Sequence, residues 1–116
     1  MGYRSKVVIG LHKRVLAISL ISKQLPSLLA NTVYTINGEA IYWGFEDIKW
    51  YPDYEEIREV EAFFNYLYDL QQKQKDSESL SLYGAMRMGE NDNDYESWGD
   101  PYEFGIENIR DITYPR

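Results

Sequence analysis

The residues best able to do chemistry in this chain are carboxylates, and they crowd into one short run, Glu90-Asn91-Asp92-Asn93-Asp94-Tyr95-Glu96. Alternating oxygen donors of this kind can wrap a calcium ion, which takes about six to eight oxygens. An ordinary twelve-residue calcium loop turns on a glycine at its sixth position and closes on a bidentate glutamate at its twelfth. Counted from Glu90 those positions hold Tyr95 and Pro101, and counted from Asp92 they hold Ser97 and Glu103. The glycine is missing in both registers. The stretch from Gly89 to Glu103 therefore reads as an acidic loop, either simply solvated or turned toward a partner.

Other chemistries find fewer residues. There is no cysteine, which removes disulfides, thiolate nucleophiles and cysteine zinc sites. His12 is the single histidine, at an expected strand-to-helix junction, where a structural or exposed role suits it better than a catalytic triad. Glu46, Asp47 and Asp53 stand among Trp43, Trp50, Tyr51 and Tyr54, a composition that paired-carboxylate glycoside hydrolysis can use. Such neighbours are also ordinary in an aromatic-rich domain. Gly84, Gly89 and Gly99 do not form a phosphate-binding fingerprint. The expectation is a binding protein with no catalytic residue, no metal and no cofactor.

Charge says more about the partner. The chain of 116 residues carries a net charge of −7, but residues 1–24 hold Arg4, Lys6, Lys13, Arg14 and Lys23 and no acid. All nineteen acids follow from Glu39 onward, against seven basic residues, so that part alone carries −12. Direct nucleic-acid binding needs clustered Lys and Arg and is disfavoured there. A basic protein surface is the natural counterpart. The second helix adds Glu55 and Glu59, whose like charges four residues apart do nothing for local helix stability. Eleven tyrosines within a 16% aromatic fraction lean the same way, since tyrosine serves both cores and interfaces. No run matches a signal peptide or a membrane span, because Lys23, Gln24 and Pro26 interrupt the most apolar stretch.

These residues must be positioned by a small α+β domain spanning 1–116. Residues 3–11 alternate as a first strand, and Lys13 to Gln24 follow as a helix that Pro26 ends, with a short turn at Ser27 to Ala30. Asn37-Gly38 joins two further strands as a type I′ hairpin. A bulge between Gly44 and Asp47 would bring Ile41, Trp43, Phe45, Ile48 and Trp50 to one face. Asp53 opens a long helix as its cap, with Glu56 completing a capping box. Ile57, Val60, Phe64, Leu67 and Tyr68 form its apolar stripe. Ser79 to Met88 and Phe104 to Tyr114 are the last strands. The order βαββαββ predicts a two-layer fold, two helices on an antiparallel sheet, as a ferredoxin-like variant.

Three stretches carry a resemblance. Met1-Gly2-Tyr3-Arg4-Ser5-Lys6-Val7, Phe45-Glu46-Asp47-Ile48-Lys49-Trp50-Tyr51 and Arg87-Met88-Gly89-Glu90-Asn91-Asp92 resemble segments of small acidic phage and prophage proteins that begin Gly-Tyr-Arg-Ser. Asn91 departs from that pattern, where an acid is usual, and residues 13–31 match no part of it. The resemblance implies a phage accessory protein in the bacterial host cytoplasm. It also implies a defence inhibitor of the anti-CRISPR kind, whose carboxylates stand in for DNA phosphates. The residues expected to make that contact are Glu90, Asp92, Asp94, Glu96, Asp100 and Glu103, supported by Glu55 and Glu59. The alternative is a phage structural or interaction module without inhibitory activity.

Overall fold

The structure is a computed structural model that describes residues 4–17, 25–73, 81–90 and 94–106. Its elements run β1 (Ser5–His12), α1 (Lys13–Ala17), α2 (Ser27–Ala30), β2 (Thr35–Asn37), β3 (Ala40–Ile48), α3 (Glu55–Gln72), β4 (Tyr83–Met88) and β5 (Tyr95–Gly99). A 3-10 turn, Pro101–Phe104, follows β5. The strands form one five-stranded sheet in the order β2-β3-β1-β4-β5, and every neighbouring pair is antiparallel. The α+β class and the antiparallel sheet are as the patterning predicts.

Alternation along β1 puts Val7, Ile9 and Leu11 on the helix side. There they meet Ile41 and Trp43 of β3, Ala85 of β4, and Ile57, Val60, Phe63, Phe64 and Leu67 of α3. Each such buried side chain contributes roughly 1.5–3 kcal/mol relative to exposure. Trp43 also donates its indole Nε1–H to the Leu29 carbonyl at 2.9 Å, which ties α2 to the sheet. The bulge lies where the sequence places it. Register shifts between Ser5 and Val7, so that Glu46 and Asp47 together face Lys6, and Phe45 and Ile48 both end on the core side.

Four local expectations are corrected. The hairpin pairs Asn37 with Ala40, so its loop is Gly38-Glu39, one residue later than expected. Only Gly38 has positive φ (61°), which fits a type II′ turn, since type I′ needs two such residues. Helix α3 begins at Glu55 with Tyr54 as its cap and no side-chain cap bond, so Asp53 and Glu56 form no capping box. A turn closed by Tyr54 N–H to the Tyr51 carbonyl sets that boundary instead. The expected loop from Gly89 to Glu103 contains β5, and the expected strand at Phe104 begins as the end of the 3-10 turn. Finally, α2 is a helical segment of its own, so the described residues hold three helices and the expected two fall short.

The 3-10 turn has a structural task. Tyr42, Val8 and Met86 face away from the helices, and Phe104 and Ile106 cover them as a second, smaller core. Gly10 and Gly84 are paired across β1 and β4 beneath this cover. A Cβ on Gly84 would lie 2.7 Å from backbone atoms of Asp100 and Pro101. That close approach requires glycine. Tyr42 locks the cover by donating its hydroxyl to the Phe104 carbonyl. The remainder of the two expected segments, residues 18–24 and 107–114, lies outside the described residues.

Candidate functional site

Arg87 organises the acidic run. Its parity in β4 turns it to the helix side along with Ala85, and it is buried. A buried guanidinium requires partners for its donors. Nε donates to Glu96 Oε1 at 2.8 Å and Nη2 to Asp94 Oδ1 at 2.7 Å. Nη1 reaches the Ser5 hydroxyl at 3.0 Å. Glu96 sits directly opposite Arg87 in the β4–β5 ladder, so the strand register creates this pairing. Burial disfavours the charged arginine, but its hydrogen bonds to Asp94 and Glu96 outweigh it and raise its pKa. Two of the expected partner-facing acids therefore neutralise an internal charge.

Glu61 of α3 borders the same cluster. Burial, and then the Glu96 charge, raise its pKa, while the Trp50 indole and Arg87 pull it the other way. The Trp50 Nε1 is buried and makes no hydrogen bond of standard geometry. Trp50 and Trp98 pack with ring centroids 5.9 Å apart, and Phe64 lies 5.1 Å from Trp98.

The other acids scatter. Asp100 accepts from Ser81 Oγ at 2.9 Å and Gln71 Nε2 at 3.1 Å, which fastens the end of β5 to α3. Glu90 accepts the Arg4 backbone N–H at 2.9 Å. Glu46 pairs with Lys6 at 3.3 Å and Asp47 with Arg4 at 3.8 Å. The basic N-terminal segment therefore folds onto Glu46 and Asp47 of β3 and onto Glu90, just past β4. Those pairs, and the burial of Trp43 and Trp50, take Glu46 and Asp47 out of any convergent glycosidase-like arrangement. Asp92 lies outside the described residues.

Glu55 and Glu59 lie on the opposite flank of α3 from Glu61. Glu59 accepts from the Ser27 hydroxyl of α2 at 2.8 Å. With Ser27, Asp53, Tyr54 and Glu56 they line a shallow hollow of about 600 Å³. Four carboxylates there share one concave surface with no basic residue in its lining. Glu103 stands elsewhere, on the second sheet face, in a hollow of about 310 Å³ with His12, Glu39, Ser81 and Tyr42. His12 Nδ1 accepts the Arg14 N–H at 3.0 Å, so the histidine caps α1. Among the described residues no group of three or more His, Asp or Glu is placed to hold a metal ion. No helix among them is long and apolar enough to cross a membrane.

Sequence reasoning pointed to the acidic run but missed Arg87, Glu61 and the addition of Asp53 and Glu56 to Glu55 and Glu59. A charged residue at an inward strand position, with acids seven and nine residues later, was the available signal for Arg87. The chain matches no protein-family model, no curated protein and no solved structure.

Proposed function

We propose that this chain is a phage-encoded inhibitor of a host defence system, of the anti-CRISPR kind, that blocks a basic nucleic-acid-binding surface with carboxylates in place of phosphates. The observation that carries the reading is the hollow lined by Asp53, Glu55, Glu56 and Glu59, whose charge no basic residue of its lining offsets. It suits a protruding Lys or Arg side chain of a protein or ribonucleoprotein. Glu103, on the other sheet face, and Glu90 are separate acids outside this hollow, and Asp92 lies outside the described residues. Asp94, Glu96 and Asp100 hold the β5 region in shape and contribute less directly. The fold is a ferredoxin-like variant in which β5 is an added edge strand, and the protein acts in the bacterial host cytoplasm without turnover.

The test is phage infection of bacteria carrying an active CRISPR system. Expression of the chain should restore plaques, and the exposed double variant Glu55→Lys/Glu59→Lys should abolish the rescue while remaining folded. Capture of the target complex should weaken steeply with salt. Full rescue by the double variant would remove this surface from the contact. A second reading, a phage interaction module without inhibitory activity, is favoured by the exposed Val33, Tyr34 and Ile36. It predicts no rescue by any variant.

A further inference from the structure

The two edges of the sheet differ in how they are guarded. Beside β5 stand Asp94, Glu96 and Asp100, and Pro101 ends the strand's continuation. Charges and proline are the usual means of stopping one sheet from pairing with another. Strand β2 has neither. From Gln24 to Gly38 the sequence contains no charged residue at all, in a chain where 27% are charged. On this edge Val33 is 89%, Ile36 55% and Tyr34 54% exposed. Tyr34 is held against Trp43 with ring centroids 6.0 Å apart, so part of the apolar edge is already ordered.

The register also orients the backbone. Asn37 and Ala40 close the two-residue loop and exchange bonds with each other. By the alternation of an antiparallel ladder, Ile36 then turns its N–H and C=O outward. An edge with outward donors and acceptors, apolar side chains and no charge is a template for another strand.

We propose that this edge pairs with β2 of a second copy of the chain, antiparallel about a two-fold axis near Ile36, joining two sheets into one. The charge distribution selects that occupant. Two copies at −7 each repel through most of their surface, and the uncharged stretch from Gln24 to Gly38 is where they can approach. A basic partner gains nothing from a neutral edge. Antiparallel self-pairing is isologous, so each Ile36 meets its equivalent and each outward donor finds an acceptor. β2 itself is only three residues, so the association is weak and concentration-dependent.

Sedimentation equilibrium on the intact chain over a wide concentration range tests this. The mass should rise from one chain toward two, and more readily at high salt, because salt screens the repulsion between copies. The proposed acidic contact with a target responds to salt in the opposite direction, so the two can fail separately. Ile36→Lys should weaken the dimer at least about tenfold, since the two-fold sets the two lysines against each other at the seam. Ile36 is 55% exposed, so its variant keeps the fold. Amide exchange at Ile36 should slow as the dimer forms. A monomer at every concentration and salt, a dimer that salt weakens, or a dimer unchanged in the folded Ile36→Lys variant would each overturn the proposal.

Discussion

Replacing Arg87 with methionine tests whether the acidic β4–β5 edge is neutralised from within. The methionine keeps much of the apolar stem's volume and removes the guanidinium with its bonds to Asp94, Glu96 and Ser5. Breaking a fully buried ion pair by deleting one partner costs about 3–5 kcal/mol. Here the carboxylates keep a route to water, because the Asp94 side chain is 36% and the Glu96 side chain 49% exposed. They rehydrate, and the larger part of that penalty disappears. What remains is the stranded Ser5 hydroxyl, which is buried, and the loss of charge-assisted bonds. Those together come to about 2–3 kcal/mol. For 116 residues, at about 2.1 cal/mol/K of unfolding entropy each, that lowers Tm by roughly 8–12 °C. The control is Arg58→Met on the exposed face of α3, the same chemical change, which should stay within about 0.5 kcal/mol. Urea denaturation of both variants beside the parent gives the two numbers. The folded Arg87 variant should also elute later from an anion-exchange column than the Arg58 variant, because it frees two carboxylates as well as removing one cation. Equal losses of stability in the two variants, or equal elution, would refute the internal neutralisation.

Three further outcomes follow from the packing and the titrating groups. Gly84→Ala drives a methyl into the backbone at Asp100 and Pro101, 2.7 Å away, and should cost about 1–3 kcal/mol by chemical denaturation. Tyr42→Phe leaves the buried Phe104 carbonyl without its donor and should cost about 1–2 kcal/mol, read in the same assay. Glu61 has a folded pKa above its ordinary 4.5, so its contribution is present below that pH and is lost as pH rises through the folded value. Glu61→Gln should therefore match the parent in acid and melt higher near neutral pH, in thermal scans across that range.

Much of the fold was legible because periodicity reports burial directly. The alternation of β1, the β3 bulge and the stripe on α3, apart from Tyr68, which is 54% exposed, all follow from apolar residues that must reach one core. The failures come from features that periodicity does not encode. Arg87 is charged, so its residue type does not announce that its position in β4 faces inward, and only the partners across the hairpin make that tolerable. Phe104 and Ile106 looked like a strand because their hydrophobicity does not say whether they pair or cover. The cap of α3 moved because the turn at Tyr51 to Tyr54 outcompeted a side-chain cap. At the candidate site, Glu55 and Glu59 were legible as an acidic helix face. Their gathering with Asp53 and Glu56 was not, since it depends on how α2 lies along α3.

The place of β1 in the sheet bears on how the chain reaches this state. It is central, between β3 and β4, and its two partners lie at Ala40–Ile48 and Tyr83–Met88. β1 thus has both its edges bonded only once most of the described chain is in place. Pairings so distant in sequence slow folding, because loop closure precedes the contacts that reward it. During that wait Val7, Val8, Ile9 and Leu11 form an open apolar strand, the segment most exposed to wrong pairing. Arg4 and Lys6 stand just before it and within it, and their ion pairs with Asp47 and Glu46 form only once β3 is in place.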